Sequence, residues 1–248
     1  MSVLLLDIGN SRLKWALLPA LRAPLPPANA IVHEGTPATA LRALAAQLPA
    51  AGCSAVCIAH VMGAAHEAAI SQAVQEALAV MPQYARSQAE CAGLRNAYTD
   101  PARLGVDRWL AMLALWAATR AAFCVASAGT ALTFDAVDTS GQHQGGVIAP
   151  GLSAMSDATL GNTRFAVGDL QRRYENGLGR DTETCVRQGA LHAAAGLLDR
   201  LGSRHPGPHV LAGGDAGVLA PLLNTPWQVQ PDLVLQGLAV WAGLASAS

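Results

Sequence analysis

VLLLDIGNSRLKWALL at residues 3–18 and FCVASAGTALTFDAV at residues 123–137 decide the fold. In the first, a short apolar run ends at DIGNS, residues 7–11, and residues 12–18 continue apolar, which predicts a strand, a glycine turn and a second strand pairing back. In the second, residues 123–126 are apolar and SAGTA at 127–131 repeats the same order about half a chain later. Two such halves imply a duplicated α/β lobe with one phosphate turn from each. The competing explanation is coincidence between two ordinary glycine turns.

Outward from the first stretch, residues 19–30 are rich in proline and read as a loop. Residues 36–48 carry Ala40, Leu41, Leu44 and Leu48 at helical spacing. Residues 54–60 hold a buried strand, AVCIA, and 64–80 a helix. Residues 81–105 are turn-rich, and 109–122 form a long apolar helix. Outward from the second stretch come a hairpin turn at 138–142, GGVIAPG at 145–151, and helices over 152–160 and 181–201. A strand at 209–212 ends in GGD, 228–234 is weakly extended, and 235–245 is a terminal helix.

The chain has 248 residues, enough for one large domain or two lobes. Charged residues are 13% of it, well below the usual quarter, which leaves an apolar surface and points to a buried oligomer interface. A net charge of −1 gives no footprint for nucleic acid. The five cysteines, Cys53, Cys57, Cys91, Cys124 and Cys185, lack zinc-site spacing and read as reduced thiols. The opening MSVLLLDIGN is too short for a signal-peptide core, and no apolar run approaches the ~18 residues of a membrane span. The cytoplasm is the expected location.

Lys14 is the only lysine, and Leu13 precedes it, so no Walker loop exists. The dinucleotide fingerprint, the protein-kinase catalytic loop and the GxSxG elbow are also missing. What remains is distinctive. In DIGNSRLK, Asp7 sits at a strand end, where it is placed to hold Mg²⁺ directly or through water. The amides of Gly9, Asn10 and Ser11 are placed to face a phosphate, although Asn and Gly also make plain turns. In YTDPARLGVDRW, residues 98–109, Asp107 lies near the start of a helix whose dipole favours its ionised form. A carboxylate beside a guanidinium suits hydroxyl activation and anion binding. The alternative is an Asp that caps the helix, with Arg108 as a solvated charge. Gly129 and Thr130 offer a second phosphate turn, and GGVIAPG a rigid turn against a base or a simple loop.

Taken in order along essentially the full chain, these motifs resemble the type III pantothenate kinases, of the superfamily of acetate and sugar kinases, actin and heat-shock chaperones. The resemblance implies two ribonuclease-H-like (actin-like) α/β lobes, taken as 1–117 and 118–248, with the active site between them, and a homodimer. It implies an enzyme phosphorylating pantothenate to 4′-phosphopantothenate with ATP and Mg²⁺. The family's first phosphate motif falls on Asp7, Ile8, Gly9, Asn10, Ser11, Arg12, Leu13 and Lys14, and its second places Thr130 on ATP. GGVIAPG resembles the adenosine motif. Tyr98, Gly105, Val106, Asp107 and Arg108 resemble the pantothenate motif, with Asp107 as proton acceptor, and Thr182 matches a second pantothenate contact. Two departures stand out. Ser11 replaces the commoner Thr, and Ser127 stands where the family has the Asp that binds a monovalent cation, K⁺ or NH₄⁺. The alternatives are a non-catalytic nucleotide-binding regulator and an actin-like kinase of another hydroxyl substrate.

Overall fold

In the computed structural model, residues 2–21, 23–33, 36–48, 52–162, 174 and 177–245 are described. The chain divides into two compact units, Met1–Arg120 with Asp232–Ser248, and Ala121–Pro231.

The first unit runs β1 (Val3–Ile8), β2 (Arg12–Leu18), β3 (Asn29–Val32), α1 (Pro37–Ala45), β4 (Ala55–His60), α2 (Ala64–Leu78) and β5 (Pro82–Tyr84). A small hairpin follows, β6 (Glu90–Cys91) and β7 (Leu94–Arg95), and then α3 (Val106–Thr119). The second unit holds β8 (Phe123–Ala128), β9 (Ala131–Val137), β10 (His143–Pro150), α4 (Leu152–Gly161), α5 (Thr182–Gly202), β11 (His209–Ala212), α6 (Ala216–Leu219) and β12 (Trp227–Val229). The last helix, α7 (Leu233–Ala245), returns to the first unit.

The duplication is in the sheets. The first has the order β3-β2-β1-β4-β5 and the second β10-β9-β8-β11-β12. In each, the first three strands are antiparallel neighbours and the last two join in parallel. Two coincident glycine turns would not reproduce a five-strand order.

Strand β1 shows why a central strand reads as continuous apolar sequence. Leu4, Leu6 and Ile8 point to one face, packed with Leu41 and Leu44 of α1 and Ile70 and Val74 of α2. Leu5, turned to the other face, is fully buried as well. Each such side chain contributes ~1.5–3 kcal/mol by leaving water. Asp7 follows Leu5 on that second face, and Lys14 is its direct partner across the antiparallel ladder, so both project to the same side.

Helix α7 packs on α3 and also meets β1 and β4. A Cβ on Gly237 would come within 2.0 Å of the Leu110 carbonyl oxygen, so only glycine admits this approach. The expected division at residue 117 placed this helix with the second lobe; its packing places it with the first. Residues 228–234, expected to be extended, are strand only to Val229, and α7 starts at Leu233. Residues 81–105, expected as turns, contain β5, which extends the sheet beside β4.

Candidate active site

The first glycine turn is a tight hairpin end. Gly9 N–H donates to the Arg12 carbonyl at 3.0 Å, and His33 N–H to the Ser11 carbonyl at 3.1 Å. Asn10, Ser11 and Arg12 are exposed. Ile8 and Leu13 are fully buried, so their side chains belong to the core and only their backbone faces the turn.

Four charged groups gather beside this turn. Asp7 feels Asp107, Lys14 and Asp232. Burial first, then the negative charge of Asp107 and of Asp232, against the opposing pull of Lys14, push the Asp7 carboxyl up to about 7. Lys14 Nζ lies 3.3 Å from Asp232 Oδ1. Asp232 was not anticipated. Its signal is a Pro-Asp pair ahead of an apolar helical run, which marks a helix start; Gln236 N–H indeed donates to its carbonyl at 3.0 Å.

Asp107 occupies the second position of α3, and Gly105 is the N-cap. Asp107 is therefore not the N-cap residue, and the helix dipole acts on its carboxylate. A Cβ on Gly105 would sit 2.6 Å from Asp107 Oδ1, so the carboxylate folds back over Gly105 and a side chain there would push it aside. Arg108 is 6% exposed, which overturns its reading as a solvated charge. Its Nη1 donates to the Tyr98 hydroxyl at 3.0 Å, and its guanidinium carbon lies 5.8 Å from the Tyr98 ring centroid. Tyr98, Gly105, Val106, Asp107 and Arg108 thus form one local assembly in the first unit, with Asp7 and Lys14 alongside.

In the second unit, three glycine segments meet backbone to backbone. Gly151 N–H donates to the Thr130 carbonyl at 3.1 Å, and a Cβ on Gly151 would lie 1.9 Å from the Gly129 carbonyl oxygen. A Cβ on Gly213, at φ +98°, would lie 2.1 Å from the Ala128 carbonyl oxygen, which accepts from Asp215 N–H at 3.0 Å. Thr130 is exposed at the crest of this cluster. Residues 145–150, read as a turn or loop, are part of edge strand β10, and Gly151 is the N-cap of α4. Thr182 opens α5 beside a cavity of about 940 Å³ that Met155, Arg180, Cys185 and Gly189 also line. Ser127 is half-buried near the end of β8. Asp135, two residues along the same face of β9 from Ser127's partner Thr133, is buried with its Oδ1 2.9 Å from His143 Nε2.

Among the described residues, no three His, Cys, Asp or Glu side chains form a metal-binding group, and no helix is long and apolar enough to cross a membrane.

A model of the family described as type III pantothenate kinase matches residues 3–204. A type III pantothenate kinase of Aromatoleum aromaticum is 38% identical over 97% of each chain. The chain belongs to the type III pantothenate kinase family. Solved structures carry the fold further than the sequence does. A protein of Campylobacter jejuni described as a Baf family transcriptional activator matches with a TM-score of 0.62 at 16% identity, over 98% of each chain. The activator of 2-hydroxyisocaproyl-CoA dehydratase from Clostridium difficile, solved with bound ADPNP, matches with a TM-score of 0.56 at 12% identity, over 100% of this chain and 96% of its own. The chain therefore has the duplicated actin-like fold.

Proposed function

We propose that Asp107 is the base, and Asp7 the cation-facing carboxylate, of phosphoryl transfer from ATP to pantothenate. The family makes the chain an ATP-dependent kinase of pantothenate, acting in the first step of coenzyme A biosynthesis. The observation that carries the residue assignment is the coupling of Asp7 to Asp107 beside a glycine turn and the only lysine.

The pantothenate hydroxyl oxygen attacks the γ-phosphorus as its proton passes to the Asp107 carboxylate, and the bond from γ-phosphorus to the bridging oxygen breaks to release ADP. The transition state is loose, so positioning and charge neutralisation dominate. Asp7 is a desolvated carboxylate that feels the negative charge of Asp107, and a divalent cation would relieve both effects, which fits Mg²⁺ at Asp7. Bound there, Mg²⁺ supplies charge neutralisation at the phosphates. Lys14 and the amides of Gly9, Asn10 and Ser11 are assigned to the ATP phosphates, with Thr130 in the second turn. Tyr98, Gly105, Val106, Arg108 and Thr182 are assigned to pantothenate; the Tyr98 contact holds Arg108 in place.

The homodimer and the cytoplasmic location are parts of the same reading, supported by the low charge and the family resemblance. Light scattering at assay concentration tests the dimer; a mass of ~25 kDa refutes it. A coupled ADP-release assay with pantothenate, without it and with sugars tests the reaction. ADP release that ignores pantothenate, or that sugars support equally, overturns the assignment.

A further inference from the structure

His33 has no part in the proposed phosphoryl transfer, yet it touches the first glycine turn twice. It follows the edge strand β3 and is only 4% exposed. Its backbone N–H continues the β2–β3 ladder to the Ser11 carbonyl. Its Nε2 lies 2.9 Å from the Gly9 carbonyl oxygen. That oxygen can only accept, so Nε2 carries the proton and donates.

The consequence lies in the peptide that joins Gly9 to Asn10. The bond is planar and trans, so its carbonyl and its N–H point in opposite directions. A carbonyl drawn inward to the buried imidazole turns the Asn10 N–H outward, on the exposed side of the turn. Without the imidazole, this short glycine-containing peptide is free to rotate as a unit, which would present a carbonyl where an anion needs a donor.

We infer that His33 is a positioning residue for the ATP phosphates, fixing the peptide plane of the first phosphate turn through its Nε2–H bond to the Gly9 carbonyl. The inference rests on the assignment of this turn to ATP. His33 touches no substrate and acts only through the turn.

The test compares four variants by KM for ATP, KM for pantothenate, kcat and melting temperature. His33→Asn is polar but too short to reach Gly9, and His33→Leu fills the space without a donor; the melting temperature shows which of them keeps the fold. Both are expected to raise KM for ATP about five- to tenfold, the effect of losing one hydrogen bond, with KM for pantothenate within about twofold of the parent. His33→Gln places an amide N–H near the Nε2 position and should restore KM for ATP to within about twofold. Asn10→Pro removes the amide itself and should raise KM for ATP. If Asn10→Pro raises it while the Asn and Leu variants do not, the role of His33 is overturned and the turn keeps its assignment. If Asn10→Pro also leaves KM for ATP unchanged, the assignment of the turn to ATP fails and this inference with it. Equal rises in both KM values with no rescue by Gln would reduce His33 to a packing residue.

Discussion

Asp7→Asn removes a carboxylate that the fold holds at a cost. The Asp7 carboxyl is pushed up to about 7 from 3.8, chiefly by burial and then by Asp107. At ~1.36 kcal/mol per pH unit, that difference disfavours the ionised form by ~4 kcal/mol. Asp7 keeps some exposed surface, and the water that reaches it lowers the realised cost to ~1–3 kcal/mol. The sign follows from proton binding. Between pH ~4 and ~7 the folded state holds a proton that the unfolded chain has released, so stability falls as pH rises through that window and is flat above it. An asparagine is neutral throughout. In buffer free of divalent cations, Asp7→Asn should melt ~2–10 °C above the parent at pH 8, and the gap should close toward pH 4. Mg²⁺ with nucleotide should raise the parent's melting temperature and have much less effect on the variant, whose activity should require far more Mg²⁺. Thermal melts at pH 5, 6, 7 and 8, with and without Mg²⁺, decide the matter. A variant less stable than the parent at pH 8, or a gap independent of pH, refutes the reasoning.

Asp107→Asn should lower kcat by about 10²–10⁴ with little change in melting temperature; turnover within a few-fold of the parent would leave Asp107 without a base's role. The protein should depend on potassium less steeply than relatives with Asp at position 127. A carboxylate adds on the order of 4 kcal/mol of attraction at 4 Å and intermediate dielectric, and Asp135, engaged by His143, is poorly placed to replace it. Initial rates in potassium, ammonium and sodium salts at matched ionic strength test this, with Ser127→Asp expected to sharpen the potassium response; strong activation of the parent at low millimolar potassium refutes it. Gly151→Ala forces a methyl against the Gly129 carbonyl, so it should cost ~1–3 kcal/mol of stability and weaken ATP binding, read by melting and by nucleotide titration. An unchanged melt would show that the two turns separate easily.

The duplicated strand-turn-strand units were legible because central strands, buried on both faces, are apolar without interruption, and glycine marks where each turns. Partners distant in sequence were not legible. Nothing local in residues 233–245 says which sheet the helix covers; the contact of Gly237 with Leu110 decides it. Strand β10 hid behind its two glycines, which resemble a turn until β9 supplies a ladder. Arg108 reads as solvated because arginine ordinarily is, and only the fold brings Tyr98 to it. Asp232 escaped because its partner, Lys14, lies 218 positions away. The candidate site residues Asp7 and Asp107 stand out as motifs, but their mutual charge does not, because it depends on where α3 is placed relative to β1.

The return of α7 to the first unit has a consequence for synthesis on the ribosome. Residues up to 120 emerge first and hold the sheet β3-β2-β1-β4-β5, yet the helix that packs on α3 comes last. At ~5–20 residues per second, the roughly 125 residues between Arg120 and Ala245 take roughly 6–25 s. Through that interval the apolar faces of α3 and β1 wait without their cover, while the second unit, contiguous from Ala121 to Pro231, has all of its own strands and can close first. The nascent chain is thus most exposed to chaperones and to aggregation along Leu5 and Leu110. Shortening the chain by its last helix would make that transient state permanent.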